Sequence, residues 1–256
     1  MTSPVAHPPA AEPVDALGPI VVVLPTYNEV ENITQLVPQL LALPNGVRVL
    51  VVDDNSPDGT GALADRLAAE QPERVGVIHR AGKLGLGTAY VQAFERGLAE
   101  GYRWFFEMDT DLSHDPSYLP AFFAALAEGN DVVIGSRNIP GGGVEGWGLG
   151  RHVLSKGGSL YSRLILGVGV KDLTTGYKAF NAHALRTVDL ASIRSNGYSF
   201  QIETTYRALL RGLRVKEVPI VFVDRRVGQS KMSRRIFAEA IMMVWKLRLS
   251  ALRGEI

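Results

Sequence analysis

Short apolar stretches recur along this chain, and each gives way to a polar turn and then to a segment with helical spacing. Residues 20–24 form a continuous, mostly β-branched run, Ile20-Val21-Val22-Val23-Leu24, the pattern of a strand covered on both faces. Residues 47–52, 75–78, 104–107 and 131–135 repeat it. Between them, apolar residues at helical intervals predict helices through Leu36, Leu40 and Leu41, through Leu63 and Leu67, through Val91, Phe94 and Leu98, and over 118–127. Asn28 or Thr26 is placed to cap the first of these. Such regular alternation predicts βαβ units and an α/β fold built on an open, mostly parallel sheet. Further on, the pattern predicts a helix over 151–166, a polar loop (172–177) running into a strand, a helix over 200–210 and one strand over 215–223. The last helix carries Ile236, Phe237, Ala240, Ile241, Val244 and Leu247 on one face and Arg235, Glu239, Lys246 and Arg253 on the other.

In an open parallel sheet, ligands bind beyond the carboxyl ends of the strands. That directs attention to the polar residues that end each apolar run. The run Trp104-Phe105-Phe106-Glu107-Met108 stops at Asp109-Thr110-Asp111. Two carboxylates one residue apart can aim at one point if the chain is extended there, and oxygen ligands suit a hard cation, Mg2+ or Mn2+, shared with substrate phosphates. Asp53 and Asp54, and Ser136 and Arg137, also follow strand ends and should line the same crevice. The loop Gly82-Lys83-Leu84-Gly85-Leu86-Gly87-Thr88 could bring backbone N–H groups near a phosphate, although its spacing is neither of the standard dinucleotide or P-loop patterns. Residues 141–150, with six glycines, read as a mobile loop and a candidate lid. Residues 224–231 form a basic turn suited to an anion.

Composition changes the picture in three places. Cysteine is absent, which excludes disulfides, thiolate metal sites and cysteine nucleophiles, and the five histidines are scattered without zinc-site spacing. The net charge of +1 hides an asymmetry: residues 225–253 hold eight Lys and Arg against one acid, Glu239, a local balance of +7. With its amphipathic pattern, the final helix (233–256) is expected to lie in a membrane interface. No apolar run approaches the roughly 18 residues of a membrane span, and no signal peptide is evident, so the expectation is a cytoplasmic protein, peripheral on the inner face of the membrane. Residues 1–18, rich in Pro and Ala, read as a disordered tail before a main domain over 19–232.

Several stretches together resemble a known family. Leu24-Pro25-Thr26-Tyr27-Asn28-Glu29, Val52-Asp53-Asp54-Asn55-Ser56-Pro57-Asp58-Gly59-Thr60, Met108-Asp109-Thr110-Asp111-Leu112-Ser113-His114, Gly135-Ser136-Arg137 and Gly228-Gln229-Ser230-Lys231 are similar, in order, to the dolichol-phosphate (polyprenol-phosphate) mannose synthases, family-2 inverting glycosyltransferases of the GT-A fold. The resemblance implies GDP-mannose as donor, a polyprenyl phosphate as acceptor, a divalent metal, Mg2+ or Mn2+, and work at a membrane surface. It leaves room for an integral-membrane partner protein and gives nucleic acid no part. Carried over by motif, Pro25, Tyr27, Glu29 and Asp54 would hold the guanosine. Asp109, Asp111 and Ser113 would face the metal, where some members have glutamine in place of Ser113. Arg137, Arg151, Ser155, Arg225 and Lys231 would surround the phosphates. An acceptor that is already an anion needs no general base, so Asp109 and Asp111 are assigned to donor and metal, and attack opposite the leaving GDP would give a β-linked product. The competing readings are a transferase of the same fold using UDP-glucose or an alcohol acceptor, a nucleotide-sugar-binding regulatory subunit, and a nucleotidyltransferase.

Overall fold

The computed structural model describes residues 18–44, 46–193, 195–224 and 234–256, with side chains described except at Leu149, Arg151, Val153 and 234–241. The tail expected over 1–18 lies, apart from Gly18, outside the described residues, as do Arg225 and Lys231.

The first half follows the expected alternation closely: β1 (Ile20–Thr26), α1 (Val30–Leu41), β2 (Arg48–Asp53), α2 (Thr60–Glu70), β3 (Val75–His79), α3 (Leu86–Ala99), β4 (Trp104–Glu107), α4 (Leu119–Ala127) and β5 (Val132–Ser136). Then come β6 (Gly143–Glu145), α5 (Leu149–Leu166), β7 (Lys178–Asn181), α6 (Ala182–Thr187), α7 (Tyr198–Leu210), β8 (Val215–Pro219), β9 (Val221–Val223) and α8 (Arg234–Leu252). Seven strands form one sheet in the order β3-β2-β1-β4-β7-β5-β8, and β6 and β9 pair separately. All neighbours in the large sheet are parallel except β7, which runs antiparallel to both β4 and β5.

Apolar residues cover both faces, as the unbroken runs require. Val21 and Val23 of β1 pack into one cluster with α3 and α7, and Ile20, Val22 and Leu24 into the other with α1 and α4. Because β7 is reversed, its first residue lies at the sheet edge where β1, β2, β4 and β5 end. The loop 172–177 that feeds it therefore enters the crevice.

Three expectations need correction. Neither Asn28 nor Thr26 caps α1: Glu29 holds the N-cap position without a side-chain cap. The first helical amide, Val30 N–H, instead donates to Asp58 of the next loop, and Thr26 Oγ1 turns to Asp53. The strand expected over 215–223 breaks after Pro219 and continues as β9 in the second sheet. The glycine-rich segment 141–150 contains β6 and the start of α5 rather than loop alone. Gly142 is needed there because a Cβ would sit 2.4 Å from the Ser136 carbonyl oxygen.

Candidate active site

Three loops on the carboxyl edge are stitched together by short polar side chains. Asn28 N–H donates to Ser56 Oγ (3.0 Å) and Glu29 N–H to Thr60 Oγ1 (2.9 Å), joining the loops after β1 and β2. Asp53, almost fully buried, accepts from Thr26 Oγ1, Ser56 N–H and Ser56 Oγ. Asp54 pairs with Arg80 from the loop after β3, Nη1 to Oδ1 at 2.6 Å. Burial nevertheless holds the Asp54 carboxyl above its ordinary value, outweighing Arg80. Tyr27 is half-buried, with Lys83 Nζ 4.3 Å from its ring centroid. Pro25 offers its carbonyl to Thr110 Oγ1 at 2.9 Å, which ties this group of loops to the acidic turn.

The acidic turn itself lies beyond β4. The strand stops at Glu107, so alternation along an extended chain does not carry through to Asp111. Local hydrogen bonds set the turn instead. Asp109 N–H donates to His114 Nδ1 at 3.1 Å, so Nδ1 is an acceptor and the ring proton sits on Nε2. His114 is buried and stacked on Tyr177, 4.8 Å between centroids. Leu112 takes φ +62°, a left-handed conformation costly for a leucine. Ser113 N–H (3.1 Å) and Ser113 Oγ both donate to Asp111 Oδ1. Ser113, named in sequence as a residue facing the metal, thus acts on Asp111 here. Asp109 meets the reversed loop at Gly176, where a Cβ would come within 3.2 Å of Oδ1.

Arg137 follows β5 and is turned inward. Its Nε and Nη2 fork onto Asp172 at 2.7 and 2.8 Å, and Nη2 also reaches Thr174 Oγ1 at 2.9 Å. Glu217 on β8 accepts from the backbone amides of Lys171 and Asp172, which aims the Asp172 carboxylate. Burial alone would raise the Asp172 carboxyl, but Arg137 overrides it and holds it below its ordinary value. The guanidinium also lies 5.8 Å from the Trp147 ring and 5.6 Å from Phe222. Ser155 is half-buried on α5, and Arg151 occupies the same helix one turn earlier.

Sequence reasoning missed Arg80, Asp172 and the pair Glu107 and Lys178. Arg80 follows the end of β3, one residue past the polar His79 that closes its apolar run, so that signal was available. Glu107 and Lys178 face each other across β4 and β7, and both are fully buried. Desolvation raises the Glu107 carboxyl to about 7, despite Lys178, and lowers the Lys178 ammonium to about 8, despite Glu107. Lys178 Nζ donates to the Gln201 carbonyl (2.6 Å) and Thr205 Oγ1 (2.8 Å), bolting the reversed strand to α7. Lys178→Met should destabilise by about 3–5 kcal/mol, because it strands a buried acid. Adding Glu107→Leu should recover most of that loss in urea melts.

Two carboxylates on one turn at an open edge fit a divalent cation that completes its shell from a ligand's phosphate oxygens and water. No cluster of three or more His, Cys, Asp or Glu suited to a metal occurs among the described residues.

The sequence pattern described as glycosyl transferase family 2 matches residues 21–189. Among curated relatives, polyprenol monophosphomannose synthase of Mycolicibacterium smegmatis is 48% identical over 239 residues, 92% of this chain and 90% of the relative. Undecaprenyl-phosphate mannosyltransferase of Micrococcus luteus is 46% identical over 232 residues, 91% of this chain and 95% of the relative. A solved structure of glucosyl-3-phosphoglycerate synthase from Mycobacterium tuberculosis, in complex with Mn2+, UDP and phosphoglyceric acid, superposes with a TM-score of 0.67 at 19% identity, covering 94% of this chain and 84% of that one. At that identity the likeness speaks for the fold, a GT-A-like α/β sheet. The chain therefore belongs to glycosyl transferase family 2, with polyprenol-phosphate mannosyltransferases among its relatives.

Proposed function

We propose that this protein transfers mannose from GDP-mannose to a polyprenyl phosphate, with inversion, at the inner face of the cytoplasmic membrane. The observation that carries the reading is a likeness of 46–48% identity, over nine-tenths of the chain, to a polyprenol monophosphomannose synthase and an undecaprenyl-phosphate mannosyltransferase. The acidic turn and Arg137 on the same sheet edge support it.

In this reading Pro25, Tyr27, Glu29 and Asp54 hold the guanosine. Asp109 and Asp111 hold Mg2+ or Mn2+ together with the donor diphosphate, and Ser113 keeps one Asp111 oxygen in place. A divalent cation, when bound, neutralises charge on the departing diphosphate. Arg137, fixed by Asp172 and Thr174, adds positive charge nearby at no reorganisation cost. Arg151 and Ser155 are four residues apart on α5 and so share a face for a phosphate; Arg225 and Lys231 are assigned to the same task from the sequence. The acceptor phosphate attacks as an anion, so no side chain has to remove a proton.

The membrane part rests on α5 and α8. The inward face of α5 carries Ser159, Ser162 and Leu166, while Leu154, Leu160 and Leu164 are exposed, Leu164 by 72%. On α8, Val244 and Leu247, which the sequence placed on the apolar face expected at the membrane, are instead buried in the core, and Met242, Trp245, Leu249 and Leu252 form an exposed stripe beside Lys246 and Arg253. An apolar stripe flanked by cations, with a tryptophan in it, suits the headgroup boundary. No described helix is long and apolar enough to cross a membrane. The residues singled out in sequence, Ile236, Phe237 and Ile241, have side chains outside the described set.

Incubation with labelled GDP-mannose and polyprenyl phosphate in vesicles should move label into the organic phase, and GDP-glucose or UDP-glucose should not replace it. Preference for either of those donors would overturn the donor assignment. Changing Leu160, Leu164, Trp245 and Leu249 to glutamine should cut turnover of a long-chain acceptor in vesicles about tenfold or more, while sparing a short, water-soluble prenyl phosphate. Each buried CH2 of a prenyl chain contributes ~0.8 kcal/mol, so the long acceptor stays in the bilayer and the enzyme has to reach it there. Equal loss on both acceptors would mean that these faces serve folding.

A further inference from the structure

The loops after β1, β2 and β3 converge on one small group: Tyr27, Asp54, Arg80 and Lys83. Arg80 is committed within the protein. Its Nη1 reaches Asp54 Oδ1 (2.6 Å) and the Gly85 carbonyl (3.3 Å), and its Nη2 reaches Thr88 Oγ1 (2.5 Å). Lys83 differs: it is exposed, and its Nζ rests on the face of the Tyr27 ring at 4.3 Å. It is also near enough to Asp54 to favour that carboxylate's charge, alongside Arg80. An exposed ammonium donor over the Tyr27 ring and a carboxylate acceptor, Asp54, thus belong to one cluster on these three loops.

We propose that Lys83 determines base specificity, donating to a ring carbonyl of the donor nucleotide while Asp54 accepts from the adjoining ring N–H. The inference rests on the nucleotide-sugar reading above and goes beyond it in naming the residue that selects the base. Its chemistry follows from the hydrogen-bonding edges. Guanine presents O6 beside N1–H, and uracil O4 beside N3–H, so both match a donor next to an acceptor. Adenine and cytosine present an amino group beside a bare ring nitrogen, which sets donor against donor and lone pair against lone pair. A base that sets donor against donor and lone pair against lone pair forfeits both hydrogen bonds, and that loss is the source of the discrimination.

Position favours the base over the phosphates. Neighbouring strands lie about 4.8 Å apart, so β3, three places from β4, ends roughly 14 Å along the sheet from the acidic turn. A diphosphate held at Asp109 and Asp111 would leave its nucleoside reaching towards Tyr27 and β3. Lys83 covers the Tyr27 face that a base would stack on, so base entry shifts the ammonium from the ring to the base edge.

The test is calorimetric binding to the full chain, with Mn2+, of GDP, ADP and guanosine, in the wild type and in Lys83→Met. Lys83 is exposed, so the variant should fold. Loss of a charged hydrogen bond should weaken GDP and guanosine by the same factor, about tenfold or more, and leave ADP unchanged. Lys83→Arg should keep much of the preference. Equal losses for GDP and ADP would overturn the proposal, and so would a loss for GDP with none for guanosine, which would assign Lys83 to phosphate. If the wild type prefers UDP to GDP, the donor assignment fails by itself, and the UDP-to-CDP ratio in the same variant then decides the role of Lys83: a reduced ratio sustains it and an unchanged ratio overturns it.

Discussion

Asp111→Ala should abolish mannosyl transfer, by on the order of 10³-fold or more, while the protein keeps its fold. Removing one preorganised charge-stabilising group typically costs 10²–10³ in rate, and this carboxylate is also half of the proposed cation site. Asp111 is partly exposed on a turn, and its Oδ1 is held by Ser113, so truncation opens no cavity in either core cluster. Asp111→Asn should fail nearly as badly, because the amide keeps the shape and loses the charge. Ser113→Ala should be milder, since the Ser113 N–H still reaches Asp111. Steady-state transfer assays with circular dichroism as a fold control would check the series. Near-normal turnover by a folded Asp111→Ala protein would remove Asp111 from the mechanism.

Arg137→Lys is the second substitution with a large expected effect, and the structure gives it two components. The guanidinium makes a planar fork onto Asp172 and a further bond to Thr174, and a lysine ammonium cannot reproduce that geometry. Arg137→Ala would leave Asp172 buried and uncompensated, at about 3–5 kcal/mol; the lysine should cost less because it keeps the charge. Both groups are almost wholly buried, so solvent screening does not soften the loss. The rate should fall about 10²-fold with lysine, through kcat, because positive charge beside Asp109 is displaced. Urea melts read the stability, and single-turnover kinetics read the chemical step. A change confined to donor affinity, with the chemical step intact, would contradict the assigned role. The acid side of the pair also has a sign: Asp172 has a depressed folded-state value, so its stabilisation is present above the unfolded carboxylate range and is lost as pH falls through the folded value.

Much of the scaffold was legible because its signals are local. Residues 20–24 announce a doubly covered strand by being apolar at every position, and both faces of β1 are indeed packed. Asp53, Asp54, Asp109, Asp111 and Arg137 were legible as crevice residues because each lies within three residues after an apolar run, and parallel strands bring such ends to one edge. The strand at 178–181 was visible too, but its direction was not. Nothing within four residues encodes that β7 runs backwards between β4 and β5.

The chain alone determined the alternation of strands and helices through β5, the edge at which the polar strand-end residues gather, and the place of the acidic turn, since each depends on periodicity and on neighbours in sequence. The tertiary structure decided what those residues touch. Reversal of β7 set Lys178 against Glu107 and carried Asp172, 35 residues along the chain, into the fork of Arg137. It likewise decided which side of α5 meets the protein: an amphipathic pattern marks two faces, yet the docked one holds Ser159 and Ser162, and the leucines Leu160 and Leu164 are left outside. The physical reason is the same in each case. Hydrophobic periodicity acts through the residue's own segment, whereas what a buried charge pairs with, and which face of a helix docks, depend on groups that the folded chain brings from elsewhere.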